Sequence, residues 1–220
     1  MTRLIDILYL LCIKEFKVRY KGTFLGYFWA LGTPLLLGLI FTFVFKHVMR
    51  IQVQNYTLFL LIGLFSWQFF SNSTNACLMS YISNEQLIKK LCFQRYLLPL
   101  STAIIEGAHF VLGIPILLIF FFFYGKPIFH TAWLYQIPLF WLTQLCLCYS
   151  TGLIVSSINT FFRDIERITS LGLTLAMYLT PIAYPISMVP EKYRFFYNLN
   201  PMADLIENWR SIFLNGQIKI

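Results

Sequence analysis

The stretch GTFLGYFWALGTPLLLGLIFTFVF, residues 22–45, runs from Lys21 to Lys46 without one charged side chain. About 20 apolar residues make a helix long enough to cross the hydrocarbon core of a bilayer. Four further stretches follow: 51–84, 96–125 (broken only by Glu106), 127–162 and 168–190. An unpaired backbone amide in lipid costs several kcal/mol, so such runs must be helices or strands of a closed barrel. These runs are continuously apolar and lack the in–out alternation of barrel strands. The chain therefore reads as an all-α integral membrane protein. It is a polytopic helical bundle with five visible spans, at about 23–45, 57–79, 100–124, 132–157 and 168–187.

Composition agrees. Hydrophobic residues make up 58% of the chain and charged residues 12%, against about 25% charged in a soluble domain. No segment between spans is large enough for a soluble unit, so residues 1–220 read as one transmembrane domain. The net charge is +8. In a soluble chain that would suggest nucleic acid. Here Lys and Arg gather in short loops and mark the cytoplasmic side, next to anionic lipid. With the N-terminus inside, cytoplasmic segments hold ten Lys and Arg: Arg3, Lys14, Lys17, Arg19, Lys21, Lys89, Lys90, Arg95, Arg163 and Arg167. The first two outer loops hold three, Lys46, Arg50 and Lys126, so a cytoplasmic N-terminus is expected. The apolar core Ile7–Ile13 is short and runs into charged residues with no small-residue cleavage site, unlike a signal peptide.

Residues 2–21 read as an amphipathic interfacial helix. At about 100° per residue, Arg3, Asp6, Lys14, Lys17 and Lys21 share a sector, with Leu4, Leu8, Leu11, Cys12 and Phe16 on the other side. Glu15 and Arg19 interrupt the apolar side and are placed to pair at i,i+4. Such a helix lies in the headgroup plane with its basic face toward lipid phosphates; packing on other protein is the alternative. Gly26, Gly32 and Gly38 in the first span allow close helix contact, and Pro34 is expected to kink it. Thr180-Pro181 and Tyr184-Pro185 predict a fifth span with a broken or re-entrant end. Residues 188–220 are mixed, with Asn200-Pro201 opening a helix that carries Asp204, Glu207 and Arg210.

Several chemistries are absent from the sequence. There is no GxxxxGK[ST] loop, no GxSxG elbow and no HExxH. His47, His109 and His130 are scattered, and Cys146-Leu-Cys148 lacks the second ligand pair of a zinc site, so neither metal nor catalytic residues are expected. Glu106 is the one carboxylate inside a span, with His109 one turn away at i+3. A hydrogen bond in the helix packing or along a pathway, and a proton relay, both remain open for it. Phe, Tyr and Trp reach 19%. Most of these fit interfacial belts and lipid-facing bulk. Trp29, Trp67, Phe70, Tyr178 and Tyr184 are candidates to line a pathway and stack on flat sugar faces.

Four segments give the chain a family resemblance. They are Arg19-Tyr20-Lys21-Gly22-Thr23-Phe24-Leu25-Gly26 with Trp29 and Pro34; Asn84-Glu85-Gln86-Leu87-Ile88-Lys89-Lys90 with Phe93, Arg95 and Pro99; Phe161-Phe162-Arg163-Asp164-Ile165; and Pro181-Ile182, Tyr184-Pro185, Pro190 and Asn200-Pro201-Met202 with Arg210. In this order and at these places relative to the spans, the chain resembles the membrane (permease) subunit of type 2 ABC transporters, in the branch that exports O-antigen, teichoic acid and capsule. Gln94 stands where that family commonly has proline.

The resemblance implies a homodimeric channel in the bacterial cytoplasmic (inner) membrane. Two copies of a separate ATPase would dock beneath it and carry the ATP and Mg; this chain would hold no cofactor. Segment 80–98, with Glu85, Lys89, Lys90 and Arg95, would touch that ATPase, supported by Arg163 and Asp164 as a local cap or ion pair. Lys14, Lys17, Arg19 and Lys21 would guide a lipid-linked polysaccharide whose pyrophosphate is anionic. Residues 181–201 would form an outer gate, and Trp29, Trp67, Phe70, Glu106, Tyr178 and Tyr184 a substrate pathway. Family members carry a sixth span after the Asn-Pro-Met helix, and no such run follows that helix before Ile220.

Three other readings compete. One is a type 2 ABC exporter of small lipids or drugs. Another is an accessory assembly protein. The third is a membrane-embedded glycan-assembly enzyme, whose candidate bases are Asp164 with Glu166, or Glu106 with His109.

Overall fold

A computed structural model of the chain describes residues 2–21, 26–50, 53–124 and 130–216. Among the described residues there are nine α-helices and no strand. They are α1 (Thr2–Tyr20), α2 (Gly26–Thr42), α3 (Tyr56–Leu78), α4 (Glu85–Lys90), α5 (Leu97–Phe123), α6 (Trp133–Asn159), α7 (Ile165–Leu179), α8 (Glu191–Asn198) and α9 (Pro201–Asn215). By length and composition, α5 and α6 are long and apolar enough to cross a membrane.

The central helix is α3, which packs against α2, α5, α6, α7 and α9. Leu58, Leu60, Leu61, Ile62, Leu64 and Phe65 are all buried, although they point in every direction around it. Because protein rather than lipid surrounds it, α3 tolerates the polar residues Ser66, Ser73 and Thr74 in its buried surface. Small and hydroxyl side chains of this kind bring membrane helices close together. By contrast α5 and α6 expose Leu112, Ile119, Leu139, Leu142 and Ile154, as an acyl-facing surface would. Two contacts fix α3 and α5 as antiparallel neighbours. Cys77 Sγ at the end of α3 meets the Pro99 carbonyl at 3.3 Å, and Tyr124 Oη, just past α5, meets Thr57 Oγ1 at 3.1 Å.

Gln144 of α6 ties three helices together in the core. Its Nε2 donates to the Ser66 carbonyl at 2.8 Å. Its Oε1 accepts from Ser66 Oγ at 3.2 Å and from Trp209 Nε1 of α9 at 2.6 Å. Trp209 continues into an aromatic stack with Phe110 (5.0 Å between centroids) and Phe213 (5.7 Å), so part of the aromatic surplus goes into packing. A Gln144→Leu substitution keeps the bulk and orphans the Trp209 N–H. It is expected to cost about 1–3 kcal/mol, read as an earlier unfolding transition in detergent. Unchanged unfolding would show the knot to be incidental.

Pro34 lies inside α2, and a π-helical turn that carries Lys46 follows that helix at Phe43–Val48. The fifth run starts as helix at Ile165 and stops at Leu179, directly before Thr180-Pro181; the end is broken, as those prolines predict, and the helix does not continue to residue 187. At 15 residues, α7 is about 22 Å long, short of the roughly 30 Å of hydrocarbon. The C-terminal helix is as the sequence reads it. Asn200 Oδ1 accepts the Met202 N–H at 3.0 Å, Pro201 occupies the first turn, and Gly216 closes α9 in the left-handed region at φ 69°.

Candidate functional site

The end of α3, helix α4, the start of α5, the end of α6 and the start of α7 meet at one end of the bundle. Asn159 Nδ2 bonds to the Leu78 carbonyl at 3.1 Å, which ties the α6 end to the α3 end. Within α4 the charges divide from the apolar residues. Leu87 and Ile88 turn inward onto Leu11, Leu97 and Leu98, together with Leu4 and Leu8 of α1. Glu85, Lys89, Lys90 and Arg95 are exposed. Glu85 opens the helix and Lys89 and Lys90 close it, which suits its dipole. Lys89 donates to Glu85 at 2.5 Å. That bond and the lysine charge hold the Glu85 carboxyl below its ordinary value, and the nearby Arg163 charge adds to the effect.

Arg163 and Asp164 are exposed beside Phe161 (81%) and Phe162 (68%). Asp164 occupies the N-cap position of α7, but its side chain makes no cap bond; the turn is held by backbone bonds from Arg167 and Ile168. Ile82, Leu91 and Tyr96 are exposed at the same end. Charges alternating with bare apolar side chains make a surface suited to a protein partner.

Helix α1 has three faces. Leu4, Leu8 and Leu11 pack on α4 and α5, while Ile5, Tyr9 and Phe16 are exposed apolar residues. Lys17 and Lys21 are exposed, whereas Lys14 donates to Asn84 Oδ1, in the turn before α4. Arg19 does not take Glu15; it ion-pairs with Glu106 of α5, and Glu15 lies 3.9 Å from Lys14. His109 Nδ1 is 3.4 Å from Glu106 Oε2, the expected i+3 contact, and its Nε2 is 2.6 Å from Tyr20 Oη. Glu106, 5% exposed, is thus an anchor point between α1 and α5.

The pathway candidates do not share one surface. Trp67 is buried in the apolar cluster that α3 and α9 share, its ring centroid 5.7 Å from that of Phe70. Tyr178 is 69% exposed on α7. Tyr184 bonds to Tyr197 Oη at 2.8 Å. The side chain of Trp29 lies outside the described residues. Sequence reasoning gave Arg210 no role, yet it is 3% exposed and bonded to three backbone carbonyls. Its spacing was the available signal. It falls four residues after Ile206, on the apolar face that Met202, Ile206 and Phe213 define.

Residues 7–214 match the family described as ABC-2 type transporter. The O-antigen export system permease protein RfbA of Klebsiella pneumoniae is 44% identical over 98% of this chain and 83% of its own length. The protein of the same name from Myxococcus xanthus is 32% identical over 93% of this chain and 79% of its own. The polysialic acid transport protein KpsM of Escherichia coli is 24% identical over 94% and 81%. With an all-helical bundle and a family match across almost its whole length, the chain belongs to the ABC-2 type transporter family.

Proposed function

We propose that this chain is the permease subunit of an ATP-driven exporter that moves a lipid-linked, O-antigen-like surface polysaccharide across the bacterial cytoplasmic membrane. The observation that carries this reading is the 44% identity, over 98% of the chain, to an O-antigen export permease. The subunit acts as one transmembrane domain, residues 1–220, with a cytoplasmic N-terminus, two copies to a channel and two copies of a separate ATPase. Its spans are α2, α3, α5, α6 and the shorter α7, with 188–220 as the outer re-entrant region. ATP and Mg belong to the partner. A transport subunit of this family has no need of a catalytic base, which sets aside the glycan-assembly reading and its candidates Asp164 with Glu166 and Glu106 with His109.

The exposed residues Glu85, Lys89, Lys90, Arg95, Arg163 and Asp164 form the ATPase-facing surface in this reading. Lys17 and Lys21 face lipid headgroups beside the exposed Ile5, Tyr9 and Phe16, which fits a helix lying in the membrane interface. Lys14 and Arg19 serve it from within, joining α1 to the coupling segment and to α5. Trp29, Phe70, Tyr178 and Tyr184 remain the aromatic candidates for weak, repeated contacts with sugar.

Purification of the detergent-solubilised chain from its native host tests the assignment. It should bring down an ATPase carrying GxxxxGK[ST]. Changing Lys89, Lys90 and Arg95 together to Glu should remove that ATPase while the chain still inserts. A chain recovered alone, or with glycan-assembly enzymes only, would overturn the exporter reading; an ATPase retained by the triple variant would overturn the assigned surface.

A further inference from the structure

The helix break after α7 leaves successive carbonyls without helical partners, in surroundings where water cannot serve them. Three in a row accept hydrogen bonds from side chains of other elements. Arg210 Nη1 donates to the Pro181 carbonyl at 2.8 Å and Nη2 to the Ile182 carbonyl at 2.6 Å. Tyr56 Oη donates to the Ala183 carbonyl at 2.7 Å. The same guanidinium donates Nε to the Phe59 carbonyl at 3.2 Å, sits 3.5 Å from the Phe59 ring centroid and pairs with Glu207 at 3.0 Å. Asn200 Nδ2 closes the ring of contacts on Thr180 Oγ1 at 2.9 Å. Gly63 makes the approach possible, since a Cβ there would stand 2.8 Å from Arg210 Nη2 and 3.4 Å from the Ile182 carbonyl oxygen.

The chain just beyond is held differently. Thr180 and Ile182 are 1% and 2% exposed, whereas Met188, Tyr193, Phe195 and Phe196 are all at least half exposed. A cavity of about 700 Å³ lies under α8, lined in part by Phe45, Met49, Leu179 and Val189. Moving residues 181–183 would take three carbonyls from their donors at once and leave the Arg210 Nη2 without its acceptor. Moving α8 would break few buried contacts.

On the export reading above, we propose that Arg210 is a positioning residue: it keeps residues 180–183 fixed on α3 and α9 through the transport cycle, so that outer opening is confined to residues 184–199. The planar fork of arginine suits this role, because its nitrogens reach several oxygens in one plane, which a lysine ammonium cannot do from the same stem.

The test uses the full chain with its ATPase, in a background where the five cysteines are replaced. With Arg210 present, Ile182→Cys should be protected from a membrane-impermeant maleimide added outside. Arg210→Met should raise labelling per molecule at least tenfold, and Arg210→Lys should give a value between. A variant that merely folded less well would lower the amount of chain rather than open this one position. Unchanged labelling in Arg210→Met overturns the proposal. A disulfide between Thr180→Cys and Asn200→Cys should leave polymer export within twofold of the parent. A short bismaleimide bridge between Tyr184→Cys and Tyr197→Cys should lower export at least tenfold relative to the same double variant left unbridged. Export lost in the first pair, or kept in the second, also overturns it. Labelling requires no export, so a parent chain that carries no polysaccharide sinks the export reading while the pinning of residue 182 is still decided.

Discussion

Replacing Arg19 by Met is expected to destabilise the folded chain by about 3 kcal/mol, more than any other single charge removal in α1. Glu106 sits inside α5 with a side chain 6% exposed, and Arg19 is its permanently cationic partner, beside His109 at 3.4 Å. Removing one partner of a buried pair strands the other charge, at a cost of about 3–5 kcal/mol. Arg19 is 29% exposed, so water reaches the edge of the pair and the lower end of that range applies. The reverse change should be much milder. Glu106→Met leaves a guanidinium that can turn to water, at about 1 kcal/mol. The double replacement should recover most of the loss, since neither charge is then stranded. A double-mutant cycle on detergent-solubilised chain, followed by thermal or denaturant unfolding, measures this coupling. Equal costs for the two single variants, or a double variant as weak as Arg19→Met, would show that Glu106 is not stranded without Arg19.

The same pair shows where the sequence stops being informative. Uncharged runs locate α3, α5 and α6 to within about three residues, because the bilayer leaves the backbone no alternative to helix. Asn200-Pro201 announces α9, and Thr180-Pro181 the end of α7, through local chemistry confined to a few residues. Arg19 and Glu106 are 87 residues apart. A helical wheel offers Arg19 only its own neighbours, and Glu15 at i+4 is the carboxylate it supplies. Charges that stay in solvent were legible too. Glu85, Lys89, Lys90 and Arg95 are exposed at one end of the bundle, as a polar segment between two apolar runs suggests. The aromatics were not legible in the same way. Trp67 and Tyr178 look alike in the sequence, yet one is packed beneath α9 and the other is bare, and only the neighbouring helices distinguish them.

Helix spacing was equally hidden, and it carries the other large effect. Cys148, Gly152, Ser156 and Asn159 fall at intervals of four, four and three residues and are all buried on one face of α6. They let α6 approach α3 closely, in the manner of small residues spaced by a turn. A Cβ at Gly152 would stand 2.7 Å from Cys77 Cβ and 2.8 Å from its Sγ. The Cβ contact decides the matter. It is fixed to the α3 backbone and cannot rotate away, so the helices themselves must separate. Gly152→Ala is expected to cost about 1–3 kcal/mol, and Gly152→Val at least the top of that range. The extra methyls would pry α6 from α3 near Asn159, whose bond to the Leu78 carbonyl joins the two helices at the end of the bundle that carries α4. Compensation discriminates this account from a general intolerance of β-branching. In the Gly152→Ala background, Cys77→Ala removes the sulfur but keeps the clashing Cβ, so it should restore little. Cys77→Gly removes both and should recover most of the loss beyond the roughly 1 kcal/mol that a glycine itself costs a helix. Unfolding temperature together with the monodisperse fraction on size exclusion reads all four variants. A Gly152→Val chain that unfolds like the parent would mean that the α3–α6 contact is looser than the 2.7 Å approach requires.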